Sequence, residues 1–593
     1  MAYAIEDRAA SPAIGWTRVA VGLVQGLALW ALTEAADNKV WPATSGVLFG
    51  VLAAVTLFAP FVVLGGLAEM RGRTLVIWTL VAATGLAALG AHDIDRRAAH
   101  EVVEWISGEA MVFLAACLFI AHHLVAGAEA DRKVIARFAV YFDLAWKHGV
   151  QLVMAAGFVG VFWIVLFLGG ALFKLIGIEF VEELIRKTWF AFPATTTMFA
   201  AAVQLTDVRH ALIRGVRTVA LTLLSWLLPV LVFLTGAFMA SLPFTGLEPL
   251  WATKSAASIL LSAAATMIIL INAAYQDGEP DEPAPVILRW AARVGGLLLV
   301  PLVAVAAYAL WLRVHQYGLT PDRIIAGACV IAGVCYAVGY GVAAVLPGVW
   351  MKRLELTNVI TAFVVVGLIL ALFSPIADPA RLSVNDQMAR LAAGKVAADK
   401  VDYRFLRFES ERYGMAALKT LKAKGGETGK RATEALTLKE RYRRAVEEQP
   451  RARDMASQVT VWPKDRALPG SFVNRRWDDD PRSPTRCDGQ DDKCEATFAD
   501  VNGDGHEEIL LAFSGAVTVY EEATPNVWRV VGWTDSLNCE GDGVAVGEGR
   551  VKVVPRRWAD LLVNGRRVPL NMEPQACPAT APAKAGGVKP PPR

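Results

Sequence analysis

Residues Gly149–Phe173 read GVQLVMAAGFVGVFWIVLFLGGALF, and this stretch decides the fold class of the chain. An α-helix needs about 20 mostly apolar residues to cross the hydrocarbon core of a bilayer, and helices of soluble proteins are rarely that long. Similar runs lie at Val216–Pro243 and Arg293–Val314, within one hydrophobic tract from Ile14 to Ile376. The sequence therefore predicts an all-α polytopic membrane bundle over residues 1–376, embedded in a lipid bilayer.

The tract divides into about eleven transmembrane helices, separated by short polar breaks. The least apolar of them, Thr188–Leu205, contains three consecutive threonines, a glutamine and Pro193, and whether it crosses decides the topology. The eleven predicted spans are Gly15–Ala35, Ser45–Leu67, Thr74–His92, Glu109–Gly127, Gly149–Gly170, Thr188–Leu205, Val216–Met239, Ser255–Tyr275, Val294–Leu312, Arg323–Val345 and Leu356–Ile376.

The composition excludes several classes of protein. The chain has 593 residues, of which 55% are hydrophobic and 19% are charged, and its mean hydropathy is +0.40. These values exclude an ordinary soluble multidomain enzyme. A net charge of +3 and the lack of a Lys/Arg stripe interleaved with aromatic residues predict no nucleic-acid partner. No catalytic signature occurs either, so the sequence favours a protein that is not an enzyme.

The charged residues are concentrated after Ile376, where a soluble α+β C-terminal tail is predicted. Residues 377–450 read as a charged helical segment, with a capping box from Ser383 to Asp386, helices at Tyr403–Ala423 and Leu436–Glu448, and a Gly-rich linker at Lys424–Lys430. Residues 451–577 read as a small β-rich extracytoplasmic domain, and residues 578–593 as a disordered tail. The predicted strands are Val459–Trp462, Ile509–Phe513, Ala516–Tyr520, Trp528–Trp533 and Arg550–Val554.

The positive residues near the span ends predict the orientation of the bundle. With the N-terminus in the cytoplasm, fifteen Lys and Arg residues fall on the inner side and nine on the outer side. An odd number of spans then places everything after Ile376 outside the cytoplasm. If Thr188–Leu205 only re-enters the membrane, this parity argument fails.

The cysteines give a second indication of compartment. Four of the seven lie in the tail, and Cys487 and Cys494 enclose a short acidic loop that a disulfide could close in an oxidising compartment. The alternative is that the tail cysteines are unpaired thiols. The four tail cysteines are Cys487, Cys494, Cys539 and Cys577.

Few ionisable residues lie near the predicted spans, and most of these are expected at the cytoplasmic ends. Such groups could bind a metal or relay protons, although span ends commonly carry polar residues that only reach the interface. The residues expected to gather are Glu69, His122, His123, Asp207 and His210, whereas Glu34 ends the first span on the other side. Deeper polar groups, Gln25, Asn272 and Asn358, are expected to make hydrogen bonds between helices.

A candidate metal site lies in the tail, at Asp500-Val-Asn502-Gly-Asp504-Gly505-His506-Glu-Glu508. Oxygen ligands at alternate positions around a glycine turn can wrap calcium, but an EF-hand would need Glu where Leu511 stands. The spacing instead resembles the calcium loops of integrin-type propeller blades, which implies side-chain ligands at Asp500, Asn502, Asp504 and Glu508 and a carbonyl ligand at His506. The alternative is a metal-free turn between two strands.

Three stretches carry a resemblance to a known family. They are Tyr317-Gly-Leu-Thr-Pro-Asp-Arg323, where Thr320 and Pro321 open a helix, Asn358-Val-Ile-Thr361, and Ser374-Pro-Ile-Ala-Asp-Pro-Ala-Arg-Leu-Ser-Val-Asn-Asp-Gln387. In these stretches the chain resembles a bacterial inner-membrane family known as domain of unknown function 4153, over roughly residues 14–420. The resemblance implies a polytopic bacterial membrane protein and supplies no activity, cofactor or catalytic residue.

Three functional hypotheses follow. The first is an envelope protein for anchoring, sensing or interaction, whose periplasmic tail binds a protein, a glycan or calcium. The second is a secondary transporter, for which the span number and the His and carboxylate residues speak, although no internal repeat is evident. The third, an intramembrane enzyme, has only the span-end polar residues to support it.

Overall fold

A computed structural model describes residues 11–97, 105–208, 210–247, 255–278, 284–438, 459–474, 494–513, 516–534, 545, 549–554, 561–563 and 566–568. The chain divides into two compact units, residues 1–439 and residues 440–593. Each unit is described by itself below.

The described part of the first unit is helical. Its helices are α1 (Pro12–Asp37), α2 (Gly46–Gly66), α3 (Gly72–Asp95), α4 (Gly108–Asp131), α5 (Phe138–Leu175), α6 (Phe180–Arg186), α7 (Thr188–Val208), α8 (His210–Thr245), α9 (Ala256–Tyr275), α10 (Val286–Tyr317), α11 (Pro321–Val345), α12 (Leu354–Leu372), α13 (Pro379–Ala392), α14 (Tyr403–Phe408), α15 (Glu411–Lys424) and α16 (Gly426–Thr437). Among the described residues, ten helices are long and apolar enough to cross a membrane, and they correspond to ten of the eleven predicted spans. The all-α membrane bundle is confirmed.

The remaining predicted span, Thr188–Leu205, forms the helix α7 but is not among those ten apolar helices. It runs antiparallel to α1 along the length of that helix. Thr188 Oγ1 donates to Glu34 Oε1 at 3.3 Å near one end, and Arg18 Nη2 is 2.7 Å from Asp207 Oδ2 near the other. The two helices therefore occupy the same range of depth in the bundle.

Close packing of α1 against α7 depends on two glycines of α1. A Cβ atom at Gly22 would lie 2.6 Å from the carbonyl oxygen of Thr196, and one at Gly26 would lie 2.4 Å from the Cα of Pro193. Only the absence of a side chain lets the backbones approach this far, as small residues do between membrane helices. The Gly-x-x-x-Gly pair of the first span thus packs against α7, the predicted span that is not among the ten apolar helices.

The two largest apolar clusters among the described residues of the bundle each join several helices. The first joins α8, α9, α10 and α11 around residues such as Met267, Leu299 and Tyr340. The second joins α2, α3, α4 and α12 through Phe58, Leu114 and other apolar residues. Large apolar side chains elsewhere are exposed, as along α5, because lipid rather than protein surrounds them. The bundle is therefore built for contact with a lipid bilayer.

The helices α13–α16 pack together in the first unit, and their boundaries correct three expectations. The predicted helix Tyr403–Ala423 is two helices, α14 and α15, which are separated at residues 409–410. Helix α13 begins at Pro379, with Asp378 as its N-cap, rather than at a capping box formed by Ser383 and Asp386. Asp378 competes successfully for the N-cap position because its Oδ1 accepts hydrogen bonds from the backbone N–H groups of Ala380 and Arg381. The prediction of a Gly-rich linker at Lys424–Lys430 is also wrong. Helix α15 ends at Lys424 and α16 begins at Gly426, so only Gly425 lies between them.

The predicted helix Leu436–Glu448 lies outside the described residues from position 439 onward. Its first two residues belong to α16. Residues 578–593, predicted to be disordered, also lie outside the described part of the chain.

The second unit contains β1 (Val459–Val461), a short helix α17 (Gly470–Val473), β2 (Cys494–Ala499), β3 (Glu508–Phe513), β4 (Ala516–Thr524), β5 (Val527–Thr534), β6 (Leu561–Val563) and β7 (Arg566–Val568). Strands β1–β5 form one sheet in sequence order, with β1 and β2 parallel and the other pairs antiparallel. Strands β6 and β7 form a separate pair. A small apolar core around Phe472, Ile509 and Tyr520 supports the sheet. The predicted α+β tail is confirmed.

Sequence reasoning located four of these strands and was wrong about a fifth. The segment Arg550–Val554, predicted to be a strand, forms no strand in the structure. Its residue Val551 packs against Leu510 and Val517. Apolar content alone does not make a strand without a partner for its backbone groups. Strands β2, β6 and β7 were missed. The sequence of β2, CEATFA, carries only a short apolar signal, and β6 and β7 have three residues each.

Cys494 at the start of β2 is disulfide-bonded. Cys487, Cys539 and Cys577 lie outside the described residues, so the partner of Cys494 is not described. The thiols of Cys117, Cys329 and Cys335 in the bundle are free.

Candidate functional site

Six buried or nearly buried polar side chains meet at the end of the bundle where α1 begins, which we call the near end. They come from α1, the α2–α3 connection, α4, α5 and α7. This near-end network consists of Arg18, Glu69, His123, Lys147, His148 and Asp207. Ionisable groups are costly in a membrane protein interior and mark candidate functional sites.

Arg18 holds three helices together at the near end. Its Nη2 donates to Asp207 Oδ2 at 2.7 Å, and its Nη1 donates to Gln204 Oε1 at 2.6 Å. Its Nε donates to the carbonyl oxygen of Leu64 at 3.2 Å. The side chain is only 1% exposed, yet each guanidinium nitrogen has an acceptor. Arg18 therefore connects α1 to α7 and to the end of α2.

Lys147 links two carboxylates in the same network. Its Nζ lies 2.7 Å from Glu69 Oε1 and 2.8 Å from Asp207 Oδ1. Burial raises the pKa of Glu69, but His148 and Lys147 together outweigh burial and hold that pKa well below its usual range. Glu69 is therefore ionised at neutral pH, and the stability that its charge contributes is lost only as the pH falls through this low pKa.

The hydrogen bonds assign protons along a chain of two histidines. His123 Nδ1 lies 2.6 Å from the carbonyl oxygen of Phe119, which can only accept, so this nitrogen carries the proton. His123 Nε2 then accepts from His148 Nδ1 at 2.9 Å. His148 Nε2 lies 3.2 Å from the carboxylate of Glu69. Both nitrogens of His148 therefore lie beside hydrogen-bond acceptors.

His122 lies next to this network but carries its proton differently. Trp78 Nε1 donates to His122 Nδ1 at 3.2 Å, which leaves the proton of a neutral imidazole on Nε2. His122 is 6% exposed, and its Nε2 has no hydrogen-bond partner among the described residues. A buried donor without an acceptor costs free energy, so this atom needs an explanation.

A cavity of about 260 Å³ lies between α2, α4, α5 and α7, beside these histidines. Its walls are almost entirely apolar, and its polar lining is His122, His123, His148 and Gln151. The other lining residues are Phe58, Phe61, Val62, Leu64, Gly65, Ala115, Leu118, Phe119, Leu152, Phe199 and Val203. The lining of the cavity is therefore apolar except for these four polar side chains.

The structure brings together four of the five residues expected to gather at one end of the bundle: Glu69, His122, His123 and Asp207. The side chain of His210 is outside the described residues. Glu34 lies near the other end of α1, where it accepts hydrogen bonds from Trp30 and Thr188.

Sequence reasoning missed Arg18, Lys147 and His148 as members of the site. Arg18 and Lys147 are two of the fifteen positive residues that predict the orientation. The available signal was that Lys147 and His148 directly precede the most apolar stretch of α5, and that Arg18 stands within a membrane helix. Neither pattern identifies an ion-pair partner by itself.

The deeper polar residues make hydrogen bonds between helices, as expected. Gln25 Nε2 donates to the carbonyl oxygens of Thr56 and Leu57, at 3.2 and 3.1 Å. Asn358 Nδ2 donates to Asn272 Oδ1 at 2.9 Å, and the hydroxyl of Tyr340 donates to Asn358 Oδ1 at 3.0 Å. These groups join helices and do not line the cavity.

At the opposite end, which we call the far end, α13 is fastened to the bundle. Asp378 is fully buried, and its Oδ2 lies 3.0 Å from His92 Nε2 at the end of α3. Burial raises the pKa of Asp378, but the hydrogen bond with His92 and other polar contacts lower that pKa below its usual value. Asp386 Oδ2 accepts from the backbone N–H of Leu319 at 2.7 Å, and Ser383 Oγ donates to the carbonyl oxygen of Leu319 at 2.8 Å.

The acidic loop in the second unit connects β2 to β3. The carboxylate of Asp500 accepts backbone N–H groups of Gly503 and Gly505, at 2.6 and 3.0 Å, and both glycines have positive φ. Asp504 Oδ1 accepts from the N–H of His506 at 2.8 Å, a bond that holds the pKa of Asp504 below its usual value. These bonds are those of an Asx-type turn.

Three carboxylates lie close together beside this turn. Asn502 Nδ2 donates to Asp504 Oδ2 at 2.8 Å and to Glu508 Oε1 at 3.0 Å. Carboxylate oxygens of Asp504, Glu508 and Glu521 lie within 4.8 Å of one another, an arrangement that suits a hard cation. Glu521 on β4 was missed because it is distant in sequence. All five expected ligands stay predictions: Asp500, Asn502, Asp504, Glu508 and the carbonyl of His506.

Comparison with known proteins adds the family and nothing about activity. The family model described as "Domain of unknown function (DUF4153)" matches residues 44–420, more than half of the chain. No curated protein and no solved structure matches.

Proposed function

The chain belongs to the DUF4153 family, and we propose that it is an inner-membrane protein of the bacterial envelope for anchoring, sensing or interaction. In this proposal the bundle holds the C-terminal domain in the periplasm, where that domain binds a protein or a glycan. The observation that carries the proposal is the attachment of α13 to the far end through Asp378 and Leu319. A helix fastened by buried polar contacts can transmit a change in the bundle to the segments that follow it.

The orientation has three supports. Positive residues are more numerous at the near end, which favours the cytoplasm for that side. The antiparallel course of α7 beside α1 favours eleven crossings, so that the segments after α12 emerge at the far end. The disulfide of Cys494 is compatible with an oxidising compartment.

Reporter fusions test this topology at its weakest point, α7. A phosphatase that is active only in the periplasm is expected to be active after Lys187, inactive after Val208 and active after Ala377. A cytoplasmic reporter is expected to give the reverse pattern. Activity of the phosphatase after both Lys187 and Val208 would mean that α7 does not cross the membrane. The proposed periplasmic location of the C-terminal domain would then lose its main support.

The acidic loop extends the proposal to calcium. Asp504 and Glu508, with Glu521 from β4, are the carboxylates best placed to bind the ion, and Asp500 and Asn502 shape the turn around them. Carboxylates this close repel one another without a cation, so calcium is expected to stabilise the loop.

Calcium is expected to slow amide hydrogen exchange across residues 500–508 of the full-length protein. At a concentration about 100 times the Kd, binding stabilises the bound form by roughly 2.7 kcal/mol, which corresponds to about 100-fold slower exchange through loop opening. Asp504→Ala should remove the effect. Glu507→Ala is the matched control, because Glu507 pairs with Arg466 outside the carboxylate cluster. If exchange is the same with calcium and with chelator, the segment is only a turn.

A secondary transporter is the second candidate, and the chain from His123 through His148 to Glu69 favours it. Proton-coupled carriers use such histidine and carboxylate chains to move protons. The transporter ranks second because the cavity beside this chain is lined by apolar residues and offers few polar contacts to a water-soluble substrate.

A further inference from the structure

We propose that the cavity beside His122 binds a neutral, membrane-soluble amphiphile through a carbonyl oxygen on the ligand. The inference concerns the bundle alone and does not rest on the periplasmic role proposed above. It depends on three features: an unpaired donor, an apolar wall and a glycine next to the donor.

The donor fixes the chemistry of the ligand head. Because Trp78 donates to His122 Nδ1, the His122 Nε2–H can only donate, and it has no acceptor among the described residues. His123 cannot serve in its place, since one of its nitrogens donates to Phe119 and the other accepts from His148. The ligand must therefore supply an acceptor, and a hydrogen-bond donor or a cation would find no partner at His122.

The wall fixes the chemistry of the ligand body. Four phenylalanines line the cavity, and two of them, Phe61 and Phe199, meet edge to face at 5.4 Å. Aliphatic residues make up most of the rest. A volume of about 260 Å³ is close to the lower end of the size of small-molecule sites. This space suits a ring or a short length of acyl chain and leaves out a hydrated, charged solute.

Gly65 lies next to the donor. It lines the cavity, and a Cβ atom at this position would lie 3.1 Å from His122 Nε2. A methyl group there would crowd this nitrogen and push the imidazole by a few tenths of an ångström. The substitution Gly65→Ala is therefore a steric test at the donor that keeps the His122 side chain itself.

Two kinds of membrane lipid combine a carbonyl acceptor with an apolar body: quinones and acyl esters. Four aromatic rings around the cavity favour the flat conjugated ring of a quinone, because aromatic faces and edges pack well against one another. An experiment on the full-length protein can compare the two directly.

Binding is measured by native mass spectrometry of the purified protein with three probes: decylubiquinone, methyl oleate and decylbenzene, which has no carbonyl. Decylubiquinone is expected to bind most tightly, and decylbenzene about tenfold or more weakly, as the loss of one hydrogen bond to a buried donor predicts. Tighter binding of methyl oleate than of decylubiquinone would identify the acyl ester as the source of the carbonyl and support the site itself.

Two variants separate the donor from general packing. His122→Phe and Gly65→Ala are each expected to weaken binding of the carbonyl probes about tenfold while leaving decylbenzene unchanged. Gly85→Ala is the matched control, because nothing lies within 4 Å of a Cβ at that position of α3. If His122→Phe fails to fold, Gly65→Ala still decides. Equal affinity for all three probes, no binding of any probe, or unchanged binding in Gly65→Ala would overturn the proposal.

Discussion

Replacing Asp207 with leucine is expected to lower the free energy of unfolding of the bundle by roughly 3–5 kcal/mol, the usual cost of leaving a buried charge without its partner. Arg18 would keep only Gln204 and the Leu64 carbonyl as acceptors, at 1% exposure. Lys147 would still have Glu69 at 2.7 Å. The measurement is unfolding of the purified protein in mixed micelles as the denaturing detergent fraction is raised.

The companion variants make the result specific to the buried pair. Arg18→Met should cost less than Asp207→Leu, because Asp207 retains Lys147 at 2.8 Å. The double variant Arg18→Met with Asp207→Leu should recover much of the loss, since apolar residues of similar size often replace a buried ion pair without penalty. A matched control is Asp95→Leu, whose partner Arg412 is 44% exposed, and this change should cost no more than about 1 kcal/mol. No recovery in the double variant would contradict the account.

Replacing Gly26 with leucine is expected to separate α1 from α7 and to destabilise the bundle by roughly 1–3 kcal/mol or more, as overpacking does. The added Cβ would lie 2.4 Å from the backbone Cα of Pro193, and backbone cannot move aside as a flexible side chain can. Detergent-induced unfolding measures the loss. Gly160→Leu is the control, because a Cβ at that position of α5 meets nothing within 4 Å.

A cross-link reports the separation directly. Cysteines introduced by Glu34→Cys and Thr188→Cys should be joined readily by a short bifunctional thiol reagent, since the tips of the native side chains are within hydrogen-bond distance. The same pair should cross-link more slowly when Gly26→Leu is added. If cross-linking and stability are both unaffected, α7 does not lie against α1 along its length, and the argument for an eleventh crossing fails with it.

The sequence determined those features that depend on local composition. Runs of about 20 apolar residues need no partner to be recognised, because the bilayer itself is the solvent that selects them. The sequence therefore predicted ten such helices. It also predicted the strands near Ile509 and Trp528 and showed the family motifs, because these too are local patterns. The sequence also predicted which polar residues gather at one end of the bundle, since alternate span ends must face the same side. These residues are Glu69, His122, His123 and Asp207.

The errors of sequence reasoning have a common physical cause. The N-cap of α13 is Asp378 rather than Ser383, because Ser383 and Asp386 bind the backbone of Leu319 instead of their own helix. Local patterns describe what a segment can do alone, and tertiary contacts then choose among those options.

The tertiary structure alone decided which polar groups became partners. Arg18 and Asp207 are 189 positions apart, and no local pattern links them. Their pairing follows from the close contact of α1 with α7, which the glycines of α1 permit. In the same way, the proton on His122 Nε2 is fixed by Trp78, 44 positions away, and the cavity it borders exists only where four helices meet. Apolarity is a property of each segment and is written in the sequence, whereas hydrogen-bond partners and cavities are properties of the packed helices.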